Sequence, residues 1–155
     1  MKKFEFKLGS VLQLRERVEA EAQQHHAAAG RRLEAVLAEL AEAETEHKRI
    51  AEQLENMQKS TFRPAEREMV WNSLKYQKDL CGRLQQKADF AVKDLAEKRE
   101  KLLEAQSEKE AMVKLQEKEQ QDYNRTAQQQ ESAMIDDIVN ARHSANQKNG
   151  GGNAK

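Results

Sequence analysis

Apolar, small or ring-bearing side chains recur near the amino terminus at Val11, Leu14, Val18, Ala22, His25, Ala29, Leu33, Val36 and Leu40. The steps are threes and fours with a mean slightly above 3.6, the eleven-residue type of repeat that packs straight or with slight right-handed twist. After Leu40 the pattern tightens to heptad spacing at Ala43, His47, Ile50, Leu54 and Met57. Ser10 followed by Gln13 has the form of a capping box, so the pattern predicts one helix over about 10–59. The segment 60–64 interrupts it with Pro64, which breaks a helix interior but suits a first turn. Glu66 and Glu68 then complement the positive end of a second helix dipole. Val70, Leu74, Cys81, Leu84, Ala88, Leu95, Leu102 and Met112 continue at three-, four- and seven-residue steps, which predicts a second helix over about 65–142. Residues 146–155, with three glycines among polar side chains, read as a disordered tail beyond a single unit at 1–145.

Two long helices joined by so short a turn fold back on one another. With the turn centred near residue 62, facing positions sum to 124. Leu54 then meets Val70, Ile50 meets Leu74, Ala43 meets Cys81, Leu40 meets Leu84, and Val36 meets Ala88. Farther along, Ala29 meets Leu95 and Ala22 meets Leu102, so from Val36 onward large residues oppose small ones, as close packing between helices prefers. The expected fold class is all-α, a long antiparallel two-helix coiled-coil hairpin. One register leaves a remainder. Beyond about Tyr123 nothing lies opposite, yet Met134, Ile135, Ile138 and Val139 form an apolar stripe at helical spacing. A stripe without an internal partner implies an external one. Trp71 and Tyr76 also fall off the seam near the turn. They either cap the end of the hairpin or stand exposed as interface anchors.

Composition supports helices. Of 155 residues, 35% are charged and 5% aromatic, with one proline, the profile of coiled coil rather than of a compact mixed fold. The 27 basic and 27 acidic residues are interspersed, without the basic stripe of a nucleic-acid binder. Cys81 is the one cysteine, which excludes an intramolecular disulfide and suits a reducing cytoplasm. The start resembles no signal peptide and no run is long and apolar enough for a membrane span. A cytoplasmic protein that meets the membrane only through partners is expected.

Catalytic chemistry finds little footing. His25, His26, His47 and His143 contain no pair three or four apart, so no metal site is expected. Cys81 at a seam position reads as packing, with no histidine placed to activate it. The carboxylates pair with lysines at helical spacing, Glu44 with Lys48 and Glu110 with Lys114. A two-helix hairpin offers no pocket to perturb a general acid or base. Gly30 and Gly82, inside helices, read as points of close helix approach or local bending. No enzymatic activity and no cofactor are expected.

The opening Phe4-Glu5-Phe6-Lys7-Leu8, followed by Val11-Leu12-Gln13-Leu14-Arg15-Glu16-Arg17 and Glu21-Ala22, resembles the start of the FliJ family of flagellar export proteins. Glu131, Met134-Ile135-Asp136-Asp137-Ile138 and Arg142 are similar to that family's carboxy-terminal signature, with Asp137 in place of the usual Glu. The resemblance implies a monomeric stalk, similar to the rotary stalk of F-type ATPases. Such a stalk promotes assembly and activity of the hexameric flagellar export ATPase, contacts the FlhA export gate and escorts late-substrate chaperones, in support of flagellum assembly and motility. It places Phe4, Phe6, Lys7, Leu8, Arg15, Met134, Ile135, Ile138 and Val139 at the ATPase, and Gln53, Met57, Trp71, Tyr76 and Leu80 at the gate. It also implies peripheral association with the cytoplasmic face of the membrane. The YscO-like stalks of virulence secretion systems share this layout. A self-assembling scaffold and a holdase chaperone are the readings outside it.

Overall fold

Helix α1 spans Gly9–Met57 and α2 spans Pro64–Gly150 in a computed structural model that describes residues 2–150. The two pack antiparallel as an all-α hairpin, with no strand among the described residues. At the start of α1 the Leu12 amide donates to the Leu8 carbonyl at 2.9 Å and the Gly9 amide donates to that of Phe6. Leu8 therefore holds the N-cap position and Ser10 lies inside the first turn, which corrects the capping box expected at Ser10. At the start of α2 the Arg67 amide donates to the Arg63 carbonyl at 3.3 Å. Pro64 then occupies the first helical position, where its missing N–H costs nothing. Helix α2 continues to Gly150, past the end expected near 142, so positions 146–150 of the expected disordered tail are helical and 151–155 lie outside the described residues.

The chain divides into two compact units, Arg17–Ser107, and Met1–Glu16 with Glu108–Lys155, where a single unit over 1–145 was expected. In the first, Ala28, Gly30, Glu46 and Ala51 of α1 are half-buried, and the continuous run of covered positions is Glu19, Ala22, His26, Ala29, Leu33, Val36, Leu40, Ala43, His47, Ile50, Leu54 and Met57. These are strict heptad steps, so the eleven-residue repeat is not what the helix uses. The expected seam residues Val18 and His25 are exposed, and the inward positions beside them belong to Glu19 and His26. Long polar side chains can line a seam with their stems while their heads reach water, and reading apolar letters alone therefore drifts one position off it.

The same heptad runs through α2 at Val70, Leu74, Gln77, Cys81, Leu84, Ala88, Ala91, Leu95, Lys98, Leu102 and Ala105. Each of these covered positions matches a covered α1 position at the expected sum of 124: Leu54 with Val70, Val36 with Ala88, Glu19 with Ala105. Two ion pairs across the helices sit beside this register, Arg32 to Asp94 at 3.7 Å and Lys87 to Glu39 at 3.8 Å. Both are solvent-exposed and contribute little to stability. The seam itself carries it, with Ala29, Val36, Leu40, Ala43, Ile50, Leu54, Ala88 and Ala105 buried. A Cβ added at Gly30 or Gly82 would meet nothing within 4 Å. Neither glycine marks a close approach of the helices, contrary to expectation.

In the other unit Leu12 is buried and Arg15 half-buried, while Leu14 is exposed. Lys109, Met112, Gln116, Glu119 and Tyr123 are covered on α2, again at heptad steps. Arg15 pairs with Glu108. From residue 128 to 150 every position is exposed.

Candidate functional site

Two surfaces gather the side chains singled out from sequence, one in each unit. The first lies near the loop 58–63. Tyr76, 59% exposed, stands seven residues after Met69, 71% exposed, so two turns of α2 carry both on one face. An open groove runs beside them, lined by Glu46, Arg49, Ile50 and Gln53 of α1 and by Met69, Ser73, Tyr76 and Gln77 of α2. It continues past Leu80 and Leu84, opposite Glu39, Glu42 and Ala43. Gln53, Tyr76 and Leu80 thus share one flank of the hairpin. Trp71, 48% exposed, does not join them. It lies five residues from Tyr76, a rotation of about 140° around the helix, with the Lys75 ammonium 5.5 Å from its ring centroid. Met57 is half-buried at the last seam position of α1. Phe62, half-buried in the loop, has the Arg67 guanidinium 5.7 Å from its ring centroid. The exposure of Trp71 and Tyr76 decides against their packing as an end cap of the hairpin.

Electrostatics on the groove flank centre on one ion pair. Arg49 donates from Nε and Nη2 to the two carboxylate oxygens of Glu46, at 2.9 and 2.6 Å. These hydrogen bonds hold the Glu46 carboxyl below the usual glutamate range and raise the Arg49 guanidinium. The fork fixes both side chains along the rim of the groove. Beneath them the Gln77 Oε1 is buried and accepts no hydrogen bond from any described residue. Met69, Glu46 and Arg49 were not anticipated from sequence. The spacing of Met69 to Tyr76 was the signal available for the first.

The second surface is formed by the chain's amino terminus and the last part of α2. Phe4 packs on Tyr123 with ring centroids 5.6 Å apart at 55°, and the Tyr123 hydroxyl donates to the Lys2 carbonyl. Phe4 and Phe6 are half-buried, Lys7 is exposed and Leu8 is 37% exposed. Tyr123 is therefore the anchor of the terminal segment, a role that its seam spacing allowed but did not announce. Met134, Ile135, Ile138 and Val139 stand 66%, 54%, 51% and 57% exposed on one face of α2. Eleven residues of helix separate Tyr123 from Met134, about 16 Å of rise. The structure thus brings Phe4 to Tyr123 but not to the stripe, leaves Phe6 half-buried in the terminal segment, and engages Arg15 with Glu108.

No group of three metal-ligating side chains occurs among the described residues. No helix among the described residues is long and apolar enough to cross a membrane. Both surfaces are open faces with exposed side chains.

Comparison with known proteins agrees with this architecture. The chain aligns over 94% of its length with a solved structure of the Chlamydia trachomatis protein CT670, a proposed YscO homolog, at a TM-score of 0.69 and 17% identity, covering 99% of that chain. At that identity the likeness establishes the fold. No curated protein matches. The family model described as flagellar FliJ protein matches residues 4–148, nearly the whole of both helices, and the chain accordingly belongs to the flagellar FliJ protein family.

Proposed function

We propose that this chain works as a stalk in flagellar protein export, promoting hexamer assembly and ATP hydrolysis of the export ATPase. Family membership makes it a component of type III export. The observation that carries the finer reading is the exposed stripe at Met134, Ile135, Ile138 and Val139, on 23 residues of helix that are exposed at every position. Four large apolar side chains on one lone helix face lose little by binding and gain burial at roughly 25 cal/mol per Å². Phe4, Phe6, Lys7, Leu8 and Arg15 serve the same contact indirectly, by fixing the terminal segment and the start of α1 against α2. The stalk makes and breaks no bonds; it couples hydrolysis to the membrane gate.

The groove flank near the loop is assigned to the FlhA gate. Gln53, Tyr76 and Leu80 contribute directly and Met57 supports them from the seam, whereas Trp71 faces a different side. Chaperone escort for late substrates, and attachment to the cytoplasmic face of the membrane through these partners, follow from the same reading. Deletion of residues 124–155 tests it. The truncated chain keeps its seam through Tyr123 and remains helical, and it no longer stimulates the export ATPase. Retained stimulation would remove the stripe from the ATPase contact.

A further inference from the structure

The apolar stripe is not a continuation of the hairpin seam. Carried past Tyr123 at heptad steps, the seam would fall on Thr126, Gln130, Ala133, Asp137 and Asn140, which are polar or small. A second heptad series begins instead at Gln128 and passes through Glu131, Ile135, Ile138, Arg142 and Ala145. At 100° per residue it lies on roughly the opposite side of α2 from the seam. Met134 and Val139 flank it, and Glu131 and Arg142 stand on its midline. Those two charges are eleven residues apart, about 16 Å along the helix, too far to meet one another, and neither forms an ion pair among the described residues.

This face is complementary to itself. Laid antiparallel on an identical face, with a two-fold axis between residues 136 and 137, Ile135 meets Ile138 and Met134 meets Val139. Glu131 meets Arg142 and Gln128 meets Ala145, every pair summing to 273. A closed two-fold interface requires that reciprocity. The match includes charge: two Glu131–Arg142 pairs bracket the apolar centre, whereas a parallel arrangement would set Glu131 on Glu131. Asp136 and Asp137, which would otherwise crowd the axis, project about 130° to either side of the midline.

We infer that two copies of this chain associate antiparallel through residues 128–145 of α2. With four apolar side chains from each copy, the interface falls in the weak class below the ~1,200 Å² at which standard specific interfaces begin. The dimer forms at high protein concentration and dissociates on dilution. It covers the face assigned above to the ATPase, so the dimer is a resting form that a tighter partner displaces. The inference does not depend on that assignment, and its test contains no ATPase.

The experiment is sedimentation velocity of the full chain from low to high micromolar concentration, with circular dichroism confirming helicity of each variant. The wild type shifts from monomer to dimer with concentration. Glu131→Arg and Arg142→Glu, each placing like charges together, weaken the dimer by at least about tenfold. The double variant restores it, because the swapped charges pair again only in the antiparallel arrangement. A wild type that stays monomeric, single reversals without effect, or a double variant as weak as the singles would each overturn the inference.

Discussion

At Gln77 a carboxamide enters the seam where its heptad neighbours carry apolar groups, and its Oε1 is buried without a hydrogen bond from any described residue. A buried acceptor left unmade costs about 1–3 kcal/mol. Gln77→Leu is expected to raise the stability of the hairpin by about 1–2 kcal/mol in a urea titration; an unchanged or lower midpoint would mean that the carboxamide is satisfied. Its register partner is His47, so this layer is polar from both helices. Glu46 gives a second expectation. Its folded carboxyl lies below the usual range because Arg49 donates to it. The stabilisation it adds is therefore present above the ordinary glutamate range and is lost as pH falls through the folded value. Carboxyl NMR titration should find Glu46 low among the glutamates and return it to the ordinary range in Arg49→Met. Trp71 and Tyr76 supply a third. Both are exposed, so alanine at either shifts stability by no more than about 0.5 kcal/mol. Gate binding, by contrast, should fall about tenfold or more for Tyr76→Ala, which lies in the groove, and change little for Trp71→Ala.

Each helix contains a glycine with no structural need for it. Gly30 and Gly82 have ordinary helical backbones and open space where a Cβ would stand. Gly30→Ala and Gly82→Ala should each stabilise by about 1 kcal/mol through helix propensity, read as a higher thermal midpoint; destabilisation would reveal a use for local flexibility. The elements themselves were legible because their signals are local. Pro64 sets the start of α2, and the apolar steps from Leu40 to Leu54 and from Val70 to Ala88 set the seam and its register. The start of α1 misled, because Arg15, Glu19 and His26 occupy inward positions while Leu14 and Val18 face out. A seam this narrow covers side-chain stems as readily as whole apolar side chains, and letters alone do not distinguish the two. Of the site residues, the stripe at Met134–Val139 was legible because it is apolar and lacks an opposite number. The separation of Trp71 from Tyr76 was not, since both simply lie off the seam in sequence, and the side of the helix emerges only once the phase is fixed by packing.

At the scale of the whole molecule, the grooves and the stripe described above are open faces. Membership of the FliJ family makes the chain a component of type III export, its hairpin has the fold of CT670, and its helical extension carries apolar side chains into solvent. A scaffold built by pairing of hairpin seams is disfavoured, because each seam is already occupied by the other helix of the same chain. The measurement that tests the central claim most directly is ATP hydrolysis by the purified flagellar export ATPase across a titration of this chain, with hexamers counted by electron microscopy. The account predicts that hydrolysis and hexamer number rise together and saturate. A flat rate and unchanged hexamer number across the titration would contradict it.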